Sequence, residues 1–189
     1  MQPNKIATLM LGLALATGFN ASAQKMKEKT VMVGGAPMYP SKNIVENAVN
    51  SKDHTTLVAA VKAAGLVETL QGPGPFTVLA PTNAAFDKLP KGTVETLLKP
   101  ENKEILQKVL TYHVLSGKFN AKDIMAAIKK SDNKMAIMPT VQGEELTFWM
   151  KGKDIYVKDS KGNSAKVTTA DVNQSNGVIH VINMVLMPS

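Results

Sequence analysis

The chain has 189 residues, 44% of them hydrophobic and 5% aromatic, with no cysteine and a formal charge of +7 from 22 basic and 15 acidic side chains. Every basic side chain is a lysine, so the forked guanidinium contacts that read bases and phosphates are missing, and few aromatics are present to stack on bases. Nucleic acid is excluded as a partner on those grounds, and the lack of cysteine excludes disulfides, thiol catalysis and thiolate metal sites.

Ahead of Gln24, Lys5 supplies a positive start, residues 9–16 a short apolar core and Ala21-Ser22-Ala23 a small-residue cleavage pattern, so residues 1–23 read as a signal peptide. Its apolar run is too short to cross a bilayer, no later stretch reaches a transmembrane length, and no cysteine offers a lipid attachment point. The mature chain is therefore expected to be secreted or periplasmic after cleavage near Ala23/Gln24. Residues 24–40 mix lysines with Gly34-Gly35 and two prolines and show no periodicity, which predicts an extended, poorly ordered leader into one domain over residues 41–189.

From Ser41 the apolar spacing turns helical. Ile44, Val45, Ala48 and Val49 share one face, and Leu57, Val58, Val61 and Ala64 repeat it up to Gly65, with Asp53 as the expected N-cap. That cap leaves His54 exposed at a helix start, with no role assigned to it. Gly72-Pro73-Gly74-Pro75 then breaks the chain and is too rich in proline to cradle a phosphate. The β-rich run Phe76-Thr77-Val78-Leu79-Ala80 is stopped by Pro81, which lacks the N–H a ladder needs. Thr82 and Asn83 are suited to cap the short helix that Ala84, Ala85 and Phe86 begin.

Residues 93–98, 100–112 and 120–130 supply three further helices. Strands follow over residues 135–141, 146–150, 154–157, 165–169 and 178–186, punctuated by Gln142-Gly143, Lys151-Gly152-Lys153 and residues 159–163. The last strand opens on Asn176-Gly177, a pair that tolerates positive φ, and is apolar on both faces, as a central strand buried on two sides is. Helices gathered first and strands later make an α+β domain.

His113 falls on the stripe of Ile105, Leu106, Val109 and Leu110, and strand alternation puts His180 on one face with Val178, Ile182 and Met184. Both are predicted to be buried. A buried neutral imidazole needs one donor and one acceptor nearby, so both are read as structural. The sequence offers no GxSxG elbow, Walker loop or HExxH pattern, so no catalytic residue, metal set or cofactor is expected and the chain reads as a non-enzyme. The MxxM pairs Met135/Met138 and Met184/Met187 carry thioethers that suit Cu(I), but residues three apart in a strand face opposite sides, and packing is the preferred role.

FTVLAPTNAAF at residues 76–86, LTYHVL at residues 110–115 and NGVIHVINMVLMP at residues 176–188 resemble, in the same order, the signature motifs of the fasciclin-like domain family. The resemblance covers about Ser41 to Pro188 and implies a compact β-sandwich or wedge of two sheets flanked by several α-helices, in a secreted, single-domain bacterial member. Leu79 stands where an aromatic is common, and Asn183 where an aspartate is common, which bears on any role needing a negative charge there. The resemblance implies that His113 and His180 bond the Thr82-Asn83 turn and neighbouring backbone. It also implies adhesion contacts at Tyr112-His113 with Leu115, and at Asp123-Ile124, where the ordinary alternatives are a helix cap for Asp123 and a core position for Ile124.

The function that follows from the resemblance is non-enzymatic adhesion or matrix interaction with a cell-surface or matrix protein or an anionic glycan. The lysines would draw an anionic polymer weakly, in a way salt screens, although a solvated lysine surface is the simpler account of the charge. The alternative is a periplasmic carrier of a small apolar ligand or soft metal held between the helices and the β-layer, which requires a pocket.

Overall fold

The computed structural model describes residues 28–189, so the expected signal peptide and the first residues of the leader lie outside the described residues. The described part of the leader is not merely extended. β1 (Val31–Val33) and β2 (Ala36–Met38) pair antiparallel about Gly34-Gly35, both at positive φ, and bury Val33, Ala36 and Met38. Three-residue strands are too short to register as a sequence period.

α1 (Ile44–Ala48) opens with a capping box, in which Asn43 Oδ1 accepts from Glu46 N–H at 2.9 Å and Glu46 accepts from Asn43 N–H at 2.8 Å. α2 (Thr55–Ala64) ends at Gly65, which takes the left-handed conformation that closes helices. Asp53 does not cap α2. Lys52–His54 form a 3-10 turn, and the first-turn amide of Thr56 instead donates to Asn83 Oδ1 at 3.0 Å, a cap supplied from a distant segment. His54 is accordingly buried rather than exposed.

α3 (Val67–Gln71) precedes β3 (Phe76–Pro81), and α4 (Asn83–Phe86) starts at Thr82, whose hydroxyl accepts from Ala85 N–H at 3.3 Å. α5 (Thr93–Leu97), α6 (Lys103–Tyr112), β4 (Val114–Ser116) and α7 (Ala121–Lys130) follow. The remaining strands are β5 (Met135–Pro139), β6 (Glu145–Lys151), β7 (Asp154–Lys158), β8 (Ser164–Gln174) and β9 (Gly177–Ile182). β8 is far longer than its apolar run, because beyond Thr169 and a register shift Val172, Asn173 and Gln174 resume the ladder with β9. β9 stops at Ile182, and Val185 and Leu186 are buried outside it.

Seven strands lie in the order β4-β3-β9-β8-β7-β6-β5, with β3 and β9 parallel and the other pairs antiparallel. Register shifts between Val167 and Val172 bend β8, and a bridge between Leu115 and Thr140 brings the two ends of the sheet together, so the sheet nearly closes on itself. The result is an α+β fold with flanking helices.

Two cores result. Val78 and Ala80 of β3, with Ile179 and Val181 of β9, face helices α1 to α6. Leu79 and Ile182 face the other way, into a core shared with Tyr112, Leu115, Ile124, Leu146, Phe148 and Val157. This explains why β3 and β9 read as apolar on both faces. Ile105, placed by the sequence on the buried stripe of α6, is 54% exposed. Gly177 is not at positive φ; it is needed because a Cβ there would lie 2.1 Å from the Phe76 carbonyl oxygen.

Candidate functional site

His113 closes α6 and is buried. Its Nδ1 lies 2.8 Å from the Val109 carbonyl, and Leu186 N–H donates to its Nε2 at 2.9 Å. This geometry fixes the proton on Nδ1 and ties the C-terminal segment to the end of α6. Burial lowers the His113 pKa to about 4, against the smaller opposing pull of the Val109 carbonyl and the Asp159 carboxylate.

His180 sits at the centre of β9 with no exposed surface. Its Nε2 lies 2.8 Å from the Phe119 carbonyl, while Asp171 N–H donates to Nδ1 at 3.3 Å. Asp171 adopts φ 58 at the bend of β8 and accepts from Ala121 N–H at 2.6 Å, so His180 and Asp171 together pin the start of α7 to the sheet. Burial lowers the His180 pKa as well. Truncating His180 to alanine strands the Asp171 amide and the Phe119 carbonyl, and the expected loss is about 1–3 kcal/mol of stability. A melting curve that does not move on His180→Ala would refute this.

Neither histidine bonds the Thr82-Asn83 turn that the family resemblance implied. Thr82 caps α4, and Asn83 accepts from Thr55 Oγ1 and Thr56 N–H while donating to the Lys52 carbonyl at 2.8 Å. The turn therefore joins α4 to the start of α2.

The four adhesion candidates part company. Tyr112, His113 and Ile124 are buried, and Tyr112 and Ile124 share the second core. Tyr112 donates its hydroxyl to the Glu145 carbonyl at 3.1 Å and accepts from Ser160 N–H at 3.0 Å. Asp123 is exposed, and its carboxylate accepts from Asn120 N–H at 2.9 Å at the start of α7. Asn183, at the position where a charge was in question, uses its neutral amide: Lys166 N–H donates to its Oδ1 at 2.8 Å. Met135 is exposed and Met138 buried, as alternation in a strand requires.

Sequence reasoning missed a surface feature. On the outward face of β5, β6 and β7, strand pairing sets Met135 opposite Trp149 and Trp149 opposite Tyr156, with Lys166 of β8 next in the row. Trp149 and Tyr156 are half-buried and meet edge to face, 4.7 Å between centroids. Ile137 stands beside the row, 58% exposed, and Lys151 and Lys158 flank the aromatic pair from the same face. The two-residue turn at Gly152-Lys153 fixes the Trp149–Tyr156 register, so this pair was legible from turn length.

A family model described as the fasciclin domain matches residues 52–188. The chain belongs to the fasciclin domain family. This fasciclin domain is 46% identical over 182 residues to Protein sll1483 of Synechocystis sp., covering 96% of the chain and 93% of that protein. It is 35% identical over 146 residues to the immunogenic protein MPB70 of Mycobacterium bovis, covering 75% of the chain and 66% of that protein. A solved FAS1 domain pair from the insect cell adhesion molecule fasciclin I shares its fold, with a TM-score of 0.68 over 85% of this chain and 58% of that chain, at 16% identity.

Proposed function

We propose that this fasciclin domain is an exported, non-enzymatic adhesion module that meets an anionic glycan on the outward face of β5, β6 and β7. The observation that carries this reading is the row of Met135, Trp149 and Tyr156 flanked by Lys151 and Lys158. A half-exposed aromatic pair offers an apolar platform to sugar rings, and the lysines complement an acidic polymer. Burial of Tyr112, His113 and Ile124 argues that contact lies on this face rather than at those positions. Support for adhesion as the class of activity comes from fasciclin I, whose FAS1 pair is that of a cell adhesion molecule. Export rests on the sequence of residues 1–23. Among the described residues, no helix is long and apolar enough to cross a membrane.

The test is retention on immobilised alginate across a salt gradient. Retention is expected at low salt, with release as the screening length shrinks to about 8 Å near 0.15 M. Trp149→Ala is expected to weaken retention about tenfold in a chain that still folds, with the melting midpoint lowered by several degrees for the loss of the half-buried ring and its contact with Tyr156. Salt-independent retention, or a Trp149→Ala variant that elutes with the parent, would count against this face.

A further inference from the structure

The chain has no cysteine, so the thioethers of its 11 methionines are the only sulfur it offers to an oxidant. Methionine sulfoxide is returned to the thioether by dedicated reductases, so oxidation at such a side chain can act as a switch as well as a lesion. The fold sorts the methionines. Met38 and Met138 are buried, and four more are packed, partly buried, against the two cores. Among the described residues, only Met32, 61% exposed, and Met135, 37% exposed, present a thioether side chain to solvent. Met32 stands opposite Pro37 in the β1–β2 hairpin.

Met135 has a different partner. The β5–β6 hairpin closes with Thr140 N–H donating to the Glu144 carbonyl at 2.9 Å. Hydrogen-bonded pairs recur at every second residue from there, through Met138 with Leu146 and Ala136 with Phe148, so Met135 and Trp149 form a non-hydrogen-bonded pair. In that pairing facing side chains come closest, with Cβ atoms about 4.5–5.5 Å apart, and a sulfur about 5 Å from an aromatic ring makes a favourable contact. Trp149 is the single tryptophan of the chain, and it meets Tyr156 edge to face on its other flank. Met135 thus ends the aromatic row, open to a solute from outside and set across from the indole.

We propose that Met135 is a reversible oxidation site, at which a peroxide turns the apolar end of the β5–β7 row into a polar sulfoxide. The sulfur lone pair attacks one oxygen of the peroxide and the O–O bond breaks, so the sulfur gains an oxygen and is oxidised by two electrons. The second oxygen takes the proton of the first and leaves as water, and the peroxide is thereby reduced. A flexible apolar side chain becomes a polar, chiral one beside Trp149. The consequence for adhesion rests on the function proposed for this face, because a polar group at the end of the platform costs desolvation when a sugar ring covers it.

The experiment treats the full chain with dilute hydrogen peroxide and follows oxygen uptake at each methionine by peptide mass spectrometry, tryptophan fluorescence, and retention on alginate. Met32→Leu and Met135→Leu conserve volume and remove one oxidisable sulfur each. Met135 is expected to take up oxygen about tenfold faster than Met138, its buried neighbour on the same strand, because the oxidant must reach the sulfur. Trp149 fluorescence is expected to change at the rate of Met135 oxidation in the parent and in Met32→Leu, and to hold in Met135→Leu. Methionine sulfoxide reductases for both epimers are expected to restore it. Retention is compared for each chain with itself before and after peroxide, so the starting affinity of Met135→Leu does not enter. It is expected to fall about threefold in the parent and in Met32→Leu, and to hold in Met135→Leu. The proposal is overturned if Met135 oxidises no faster than Met138, if the fluorescence responds equally in Met135→Leu, or if the reductases leave the sulfoxide in place. It is overturned too if a parent that binds alginate and its Met135→Leu variant respond alike to peroxide. A parent that is not retained before oxidation sinks the adhesion reading instead, and oxygen uptake and fluorescence then decide the oxidation site by themselves.

Discussion

Gly177→Ala is expected to lower the stability of the domain by about 3 kcal/mol, at the upper end of what an added methyl costs in a packed interior. For a domain of this size that moves the melting midpoint down by roughly 6–12 °C. The cause is backbone against backbone. β3 and β9 pair in parallel with Phe76 opposite Gly177, and an added Cβ would sit 2.1 Å from the Phe76 carbonyl oxygen and 3.1 Å from Ile44 Cδ1. The chain cannot move away on the other side, because Phe76 N–H donates to the Asn176 carbonyl at 3.1 Å. Gly74, at φ +59, has that same Asn176 carbonyl where its own Cβ would be. The Asn176 side chain locks the junction further by accepting from Ile44 N–H at 3.1 Å and donating to the Leu70 and Gly72 carbonyls at 2.8 Å. Thermal unfolding of Gly177→Ala beside Ser164→Ala, an exposed change expected within about 0.5 kcal/mol of the parent, makes the comparison. Equal midpoints for the two variants would sink the close-approach account.

That junction also shows what a sequence read alone can and cannot reach. Apolar residues on both faces of residues 76–80 and 177–182 announce central strands, and the structure places β3 and β9 between two cores. Nothing local announces that they pair with each other across a hundred residues, so Gly177 reads as a turn glycine when its role is contact with Phe76. His54 fails for a similar reason. Its burial depends on Asn83 capping α2 from another segment, and a reading that seeks the cap among neighbours selects Asp53 and sends His54 to solvent. The helical stripe that buries His113 and the alternation that buries His180 are local patterns and were legible. The adhesion roles of Tyr112, His113, Asp123 and Ile124 came from family resemblance, and burial sets all of them but Asp123 inside the fold. The Trp149–Tyr156 pair was within reach of turn-length reasoning, whereas its neighbours Met135 and Lys166 needed the register of two further strand pairs.

Acid is expected to weaken the fold well before the carboxylates protonate. His113 titrates at about 4 when folded against 6.5 in the unfolded chain, so its neutral form is the one the fold holds. A lowered histidine value means that the unfolded chain binds a proton that the folded one refuses. The resulting loss is absent above 6.5, grows as pH falls, and is complete below about 4; the difference amounts to about 3 kcal/mol for this fully buried group. The atoms say why. Nε2 already accepts from Leu186 N–H, and a proton placed there would set two donors against each other in a site with no water to separate them. His54 and His180 shift in the same direction by burial, which steepens the dependence. Glu144 is held at about 2 by the Ser189 N–H and hydroxyl, so the stability it contributes is present above 4.5 and is lost as pH falls towards 2, largely outside the histidine window. Urea titrations at intervals between pH 7 and pH 4 give the slope directly, with each histidine able to contribute at most about 1.4 kcal/mol per pH unit. His113→Gln is expected to be less stable than the parent at pH 7, and yet to lose less on acidification, because one of the three refused protons is gone. A slope identical to that of the parent would show that His113 does not carry the acid sensitivity of the fold.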